Sequence, residues 1–327
     1  MASEDVSRIM QIADYLRPSH FGYLPLDAWI ESAVKGWLVP LFRPFFRTLQ
    51  WPIEQVLSGL QALFLSVPFI VVLVLAGLGA WRAAGRGVAL FTIVSLFLLD
   101  WIGVWNETMV TLAMIVTSVV FCIVLGIPLG IAAARSERTA AVLRPVLDIM
   151  QTIPSFVYLV PIVMLFGVGM VPAVIATIIF ALPPLIRLTN LGIRQVQGDL
   201  VEAGRAFGST PRQILWEIQL PLAMRTIMAG VNQTLMLALS MAVIGALIGA
   251  GGLGLTVYTG LGRLNVGYAA VGGLGIVLMA IILDRVTQAL GEKGFVSSRR
   301  RKPAAAAEKR KSGAADAGKA ETTLKSV

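Results

Sequence analysis

Seven stretches of this chain are apolar over a length that suits a lipid bilayer, and no other feature constrains the fold as much. A helix crosses a hydrocarbon core of ~30 Å with roughly 17 to 25 apolar residues. The stretches lie near 61–81, 88–105, 108–134, 153–169, 171–191, 223–249 and 268–290. The expected class is therefore all-α, a polytopic membrane protein of about seven transmembrane helices. Composition agrees: 57% of the 327 residues are hydrophobic and 14% are charged, against about 25% charged in soluble domains. Mean hydropathy is +0.80.

The net charge is +9, and its location says what it is for. Ten of the 27 Lys and Arg fall in the last 35 residues, after the apolar material ends. Loops on one side hold Arg82, Arg86, Arg135, Arg138, Arg144, Arg187, Arg194, Arg205, Arg212 and Arg225, while the opposite loops hold only Arg263. Ten against one is the positive-inside pattern, which puts the C-terminus in the cytosol and, with seven spans, the N-terminus outside. Membrane topology accounts for the basic balance, so no nucleic-acid partner is inferred. The single Cys122 permits no intrachain disulfide, and the lone His20 has no companions for a metal site. The acidic start, "MASEDVSRIMQIADYL", does not read as a secretory signal peptide.

Four regions follow: an extracytoplasmic segment 1–60, two accessory spans over 61–107, a core over 108–290, and a basic cytosolic tail 291–327. In the first, Leu26, Trp29, Ile30, Ala33, Val34, Trp37 and Leu38 follow helical spacing opposite Asp27, Glu31 and Lys35. Such a helix lies on the membrane surface or packs on the protein's own spans. The end, "SSRRRKPAAAAEKRKSGAADAGKAETTLKSV", has too few large apolar residues to fold and reads as disordered, its "RRRK" cluster a stop-transfer anchor meeting anionic lipid.

Between the fifth and sixth stretches the chain turns polar: "VEAGRAFGSTPRQILWEIQLP", residues 201–221. Asp199 with Glu202 has capping-box spacing, and Leu200, Ala203 and Phe207 share a face. Gly208 suits a helix C-terminus, where positive φ is needed. Thr210, Pro211 and Gln213 make a second capping box, Ile214, Leu215 and Ile218 form an apolar side, and Leu220-Pro221 is expected to stop the helix. Two helices this short are marginal in water. They need something to dock on, either their own spans or another protein.

These residues resemble the cytosolic loop of the integral-membrane subunits of binding-protein-dependent ABC importers. That pattern is Glu-Ala-Ala, three residues, Gly, nine residues, Ile, one residue, Leu-Pro. The chain has Glu202, Ala203, Gly204, Gly208, Ile218, Leu220 and Pro221 at every required spacing, with Gly204 in place of Ala. The resemblance implies a type I ABC importer permease fold in which 193–222 is a coupling loop seated in a cytosolic ATPase dimer. It also implies an extracytoplasmic substrate-binding protein, a permease homodimer, an inner-membrane location and ATP bound only by the partner. "RPVLDIMQTIPSFVYLVPIVMLFG", "IIFALPPLIRLTNLGI", "QLPLAMRTIMAGVNQTLMLALSMAVI" and "GGLG" narrow it to the glycine betaine/proline betaine permeases of osmoprotectant importers, over residues 24–290. Choline and carnitine are related cargoes.

Polar residues at membrane depth are candidates for the path. Asn232, Gln233 and Thr234 fall about nine residues, or ~13 Å, into the sixth stretch. They line a translocation path or bond to neighbouring helices. Trp101 and Trp105 offer faces for a quaternary ammonium or form an interfacial belt. Pro128, Pro154, Pro161, Pro183 and Pro184 interrupt spans three to five. Asp284 adjoins Arg285 and reads as a solvated pair. No Walker A, HExxH or nucleophile-elbow pattern occurs, so no catalysis and no cofactor are expected in this chain. The alternatives are a permease for another solute such as an amino acid, or a secondary transporter or channel without an ATPase.

Overall fold

The computed structural model describes residues 25–33, 36–37 and 39–291, with the side chains of 27, 30, 42–45 and 47 left aside. His20, the first 24 residues, Val34, Lys35, Leu38 and the basic tail from 292 lie outside the described residues. Every described element is helical or a turn. The chain divides into two units, Met1–Leu49 and Gln50–Val327. In the first, helix α1 (Leu26–Ala33) leaves Leu26 and Trp29 exposed.

Helix α2 (Val39–Ser66) ends where Pro68 begins a new direction. Proline pushes the residue before it out of helical geometry and gives no N–H. The Thr48–Ser66 segment and α3 (Phe69–Ala84) therefore meet at 107°. The stretch expected as one span over 61–81 is cut near its start. Gly85, at φ 91°, turns the chain straight into α4 (Arg86–Trp101). Each of these two helices has 16 residues, or ~24 Å.

Helix α5 (Trp105–Arg135) follows, then α6 (Glu137–Thr152), whose first turn is capped by Ser136 accepting from the Thr139 N–H. At Ile153-Pro154 the chain bends by 103° into the stretch Ser155–Phe166, a 3₁₀ turn followed by α7 (Leu159–Phe166). The Tyr158 hydroxyl donates to the Met150 carbonyl across this bend and holds it. The expected fourth span, 153–169, is thus the second arm of a bent pair that begins at Glu137.

Helix α8 (Met170–Arg194) passes through Pro183 and Pro184 without interruption, as α5 does through Pro128. A short helix α9 (Gly198–Ala206) leads to α10, a continuous run from Pro211 to Ile248. The outer connection expected over 250–267 contains α11 (Leu253–Gly262), and α12 runs Val266–Gly291. Four described helices, α5, α8, α10 and α12, are long and apolar enough to cross a membrane singly; counting each bent pair as one span gives up to six.

The core lies where α5, α8 and α10 meet. Met114, Ile115, Cys122, Val174, Leu185, Ala238 and Met241 are sealed there. Glycine sets the spacing at the arginine-rich end: a Cβ on Gly130 would stand 2.5 Å from Thr189 Cβ, and one on Gly192 would stand 2.9 Å from Thr226 Cβ. Small residues let helix backbones approach closely, which is how helices associate where lipid removes the hydrophobic drive. At the other end Leu253 N–H donates to Thr111 Oγ1 at 2.8 Å, fixing α11 to α5.

Candidate functional site

The ends of α5 and α8 and the start of α10 converge, and the polar stretch 195–221 hangs from them as a helical hairpin. Its first helix does not use the expected cap. Gln197 occupies the N-cap without a side-chain bond, Gly198 is the first helical residue, and Asp199 lies within the first turn. A carboxylate in that turn is still favoured by the positive end of the helix dipole. The other end closes as expected. Gly208, at φ 80°, donates to the Arg205 carbonyl at 2.9 Å, and Ser209 donates to Gly204 at 3.0 Å. That pair of bonds is a Schellman closure. Thr210 then starts α10: its hydroxyl accepts from the Gln213 N–H while Gln213 Oε1 accepts from the Thr210 N–H.

Leu220-Pro221 does not stop this helix. Residues Ile214–Gln219 form a π-helical turn, and Leu220 N–H reaches back to the Leu215 carbonyl. The wider turn moves the Glu217 carbonyl away from the Pro221 ring, which in α geometry would clash with it. The hairpin is thereby continuous with the longest of the described helices.

The loop residues fall into two groups. Gly204, Ile214, Leu215 and Leu220 are buried and Ile218 is half-buried; a Cβ on Gly204 would lie 2.8 Å from Ile218 Cδ1. These residues pack α9 onto the π turn. Glu202, Ala203, Gly208 and Pro221 are exposed. The shared face of Leu200, Ala203 and Phe207 also points out, with Phe207 90% exposed. Trp216 is exposed at 65%. Leu200 and Phe207 thus leave exposed apolar surface on this small helix, beside a positive-φ glycine.

Arg135 ties the hairpin to the body, and two further arginines tie the body's helices to one another. Arg135 Nη2 donates to the Pro211 carbonyl at 2.9 Å. Arg194 donates to the Ala133 carbonyl at 2.8 Å and pairs with Glu137. Arg194 holds the Glu137 carboxyl below the usual carboxylate range, first by hydrogen bond and then by charge, with Arg144 adding to it. Arg187 pairs with Asp148 and bonds Gln151, clamping α6 across α8. Sequence reading counted these arginines for topology only. Their partners stand tens of residues away, and no local pattern announces them.

The polar triplet is divided. Asn232 Nδ2 donates to Asp284 Oδ1 at 2.9 Å, and Thr234 Oγ1 donates to the Ala181 carbonyl at 3.0 Å, so both join helices. Gln233 is exposed. Asp284 also accepts from Gln288 at 2.7 Å; its partners are on α10 and its own helix, which corrects the expected solvated pair with Arg285. Trp101 is 78% exposed and stacks edgewise on Phe97, whereas Trp105 meets Phe69 at 4.9 Å. The two indoles are paired off with different phenylalanines. No cluster of three metal-ligating side chains occurs among the described residues.

Residues 126–293 match the family model described as "Binding-protein-dependent transport system inner membrane component". The chain is 56% identical over 286 residues to the glycine betaine/proline betaine transport system permease protein of Escherichia coli K12, covering 88% of this chain and 80% of that protein. It is 47% identical to the glycine betaine/carnitine transport permease protein of Listeria monocytogenes, covering 83% of this chain and 96% of the relative. With the glycine betaine transport system permease protein of Bacillus subtilis it shares 45% identity over 81% of this chain and 94% of the relative.

Proposed function

This chain belongs to the family of binding-protein-dependent transport system inner membrane components, and from that premise we propose that it is the gate of an importer for glycine betaine, proline betaine and related quaternary amines, worked through the hairpin at 195–221. The chain is a multi-pass membrane permease subunit. In the proposed assembly two copies stand side by side, a cytosolic ATPase dimer grips one hairpin per copy, and an extracytoplasmic protein delivers cargo. The N-terminus lies outside and the C-terminus inside.

One observation carries the coupling role: the exposed Leu200–Ala203–Phe207 face, held by a closed hairpin whose inner side is packed on the chain's own helices. Burying Phe207 and Leu200 against a partner removes apolar area from water at ~25 cal/mol per Å². Glu202 on the same helix supplies a charge that fixes register. When nucleotide closes the ATPase dimer, the seat moves and the hairpin moves with it. Arg135 passes that displacement from Pro211 to α5, Arg194 links α5 to α8 through the Ala133 carbonyl, and the π turn passes it to α10. Close packing at Gly130 and Gly192 makes those helices respond as a block rather than bend. The block has two positions, open outward or inward, and ATP shifts the balance between them.

A quaternary amine has no N–H to donate, so the path needs little hydrogen bonding. Gln233 and Trp101 are its candidate lining; Trp101 and Trp105 form no cage, which leaves tight recognition to the binding protein. ATP hydrolysis belongs to the partner.

The test is ATP-driven uptake by the complex reconstituted in liposomes with its ATPase and binding protein, across glycine betaine, proline betaine, choline and amino acids. Glycine betaine uptake is expected in wild type and lost in Glu202→Lys and Gly208→Arg, with the permease still inserted and the ATPase no longer co-purifying. Undiminished uptake by both variants ends the proposal.

A further inference from the structure

Between α3, α4, α5 and α12 lies a cavity of about 270 Å³, lined almost wholly by apolar atoms. It runs from Val72 to Ala80 along α3 and from Met279 to Val286 along α12, which at 1.5 Å per residue is a slot about 10 to 12 Å long. One side is open. The outward faces of the two helices beside it are Ile70, Val74, Leu75 and Leu78 on α3 and Leu90 and Val94 on α4, all exposed. A surface of that composition faces acyl chains, so the slot opens into the hydrocarbon of the bilayer. Water is excluded there by the apolar lining, and an apolar cavity takes up apolar matter of the right shape. Gly79 stands exposed at the slot's mouth, where an added Cβ would meet nothing within 4 Å, and inside it Thr92, 1% exposed, has a hydroxyl with no hydrogen-bond partner.

We propose that this slot holds one acyl chain of a membrane phospholipid, seated between the α3–α4 hairpin and the permease core. The bilayer is the reservoir at that depth, and an almost wholly apolar lining that follows two helices for about 10 to 12 Å suits an extended alkyl segment. The chain replaces the side-chain packing that the hairpin lacks. This does not depend on which cargo is carried, nor on the coupling role of the hairpin at 195–221.

The full chain in nanodiscs of phosphatidylethanolamine, a fraction of it carrying a mid-chain diazirine, is irradiated and its adducts mapped by mass spectrometry. Adducts are expected to concentrate on Ala76, Gly79, Thr92 and Met279. Gly79→Phe, which fills open space, should reduce them several-fold, with Gly79→Leu as the milder filler where the first is not recovered. Leu75→Phe, on the outward face, should leave them unchanged, and so should Thr92→Val, because an alkyl chain asks for no donor. Labelling no denser in the slot than on Leu75 and Leu90, or insensitive to both Gly79 fillers, overturns the proposal. Loss of labelling in Thr92→Val also overturns it, since the occupant would then be a molecule with an acceptor.

Discussion

Arg135, the last residue of α5, holds the carbonyl of Pro211, the first residue of α10, at 2.9 Å across 76 positions of sequence. The bond joins the hairpin to a helix that does not continue into it. Its carrier is exposed, so its contribution to stability is about 1 kcal/mol at most. Its proposed worth is mechanical. Arg135→Ala should therefore fold and bind the ATPase, keep ATP hydrolysis, and lose uptake by roughly five-fold, the rate equivalent of that 1 kcal/mol. The ratio of cargo moved to ATP hydrolysed in liposomes checks it. An unchanged ratio removes Arg135 from the transmission path.

Gly208 and Gly204 both stand in the loop motif but should answer mutation differently. Gly208 has φ 80° and open space around its Cα. Any L-residue there is strained by roughly 1–2 kcal/mol, and a large one also blocks the exposed seat. Gly204 has ordinary helical geometry, and its added Cβ would meet the flexible tip of Ile218 at 2.8 Å. Gly204→Ala should cost under about 1 kcal/mol and keep uptake, while Gly208→Ala should reduce uptake and Gly208→Arg should abolish it. Thermal melting and transport, measured together on the three variants, separate the effects.

The difference between these glycines shows what the sequence could carry. Gly208 and the Thr210–Gln213 box were legible because caps act on backbone within a few residues. The Leu220-Pro221 stop was not, since a proline ends a helix only if the preceding turn is α, and residues 214–219 form a π turn. The same holds elsewhere. Pro68 and Pro154 break their helices, whereas Pro183 and Pro184 are buried inside α8, where packing on α5 and α10 outweighs the lost hydrogen bonds. Apolar length located the spans, but where each bends was decided by tertiary contact. Arg135 with Pro211 and Arg194 with Glu137 lie 76 and 57 positions apart, beyond any periodic signal.

Glu137 gives a pH dependence with a definite sign. Arg194 lowers its carboxyl below the ordinary carboxylate range. A group whose pKa is depressed on folding contributes stability above its unfolded pKa and loses it as pH falls through the folded value. The α6–α8 tie should therefore be intact at neutral pH and weaken only below about pH 4, near and under the unfolded carboxylate value. Glu137→Gln should flatten the acid limb of a melting-temperature profile taken from pH 7 to pH 3 by lowering its pH 7 end while the pH 3 end stays in place, and by a small amount because the pair is solvent-exposed. An equally steep acid limb in the variant would assign it to other carboxylates.

Asn232 and Gln233 are neighbours in sequence with opposed expectations. Asn232 joins α10 to α12 through Asp284, and interhelical bonds of this kind contribute about 0.6 kcal/mol and at most about 1.7. Asn232→Leu leaves Asp284 with only Gln288, so it should lower the melting temperature; pairing it with Asp284→Leu should recover much of the loss, as removal of both partners does. Uptake by the double variant should stay near wild type if the pair serves only to hold helices. Gln233, the next residue round the helix, is exposed, and its replacement by Leu should leave melting unchanged. A fall in uptake for Gln233→Leu without a change in melting would mark it as lining the path. If instead the double variant loses uptake at restored stability, Asn232 and Asp284 take that role and Gln233 faces lipid or the second copy.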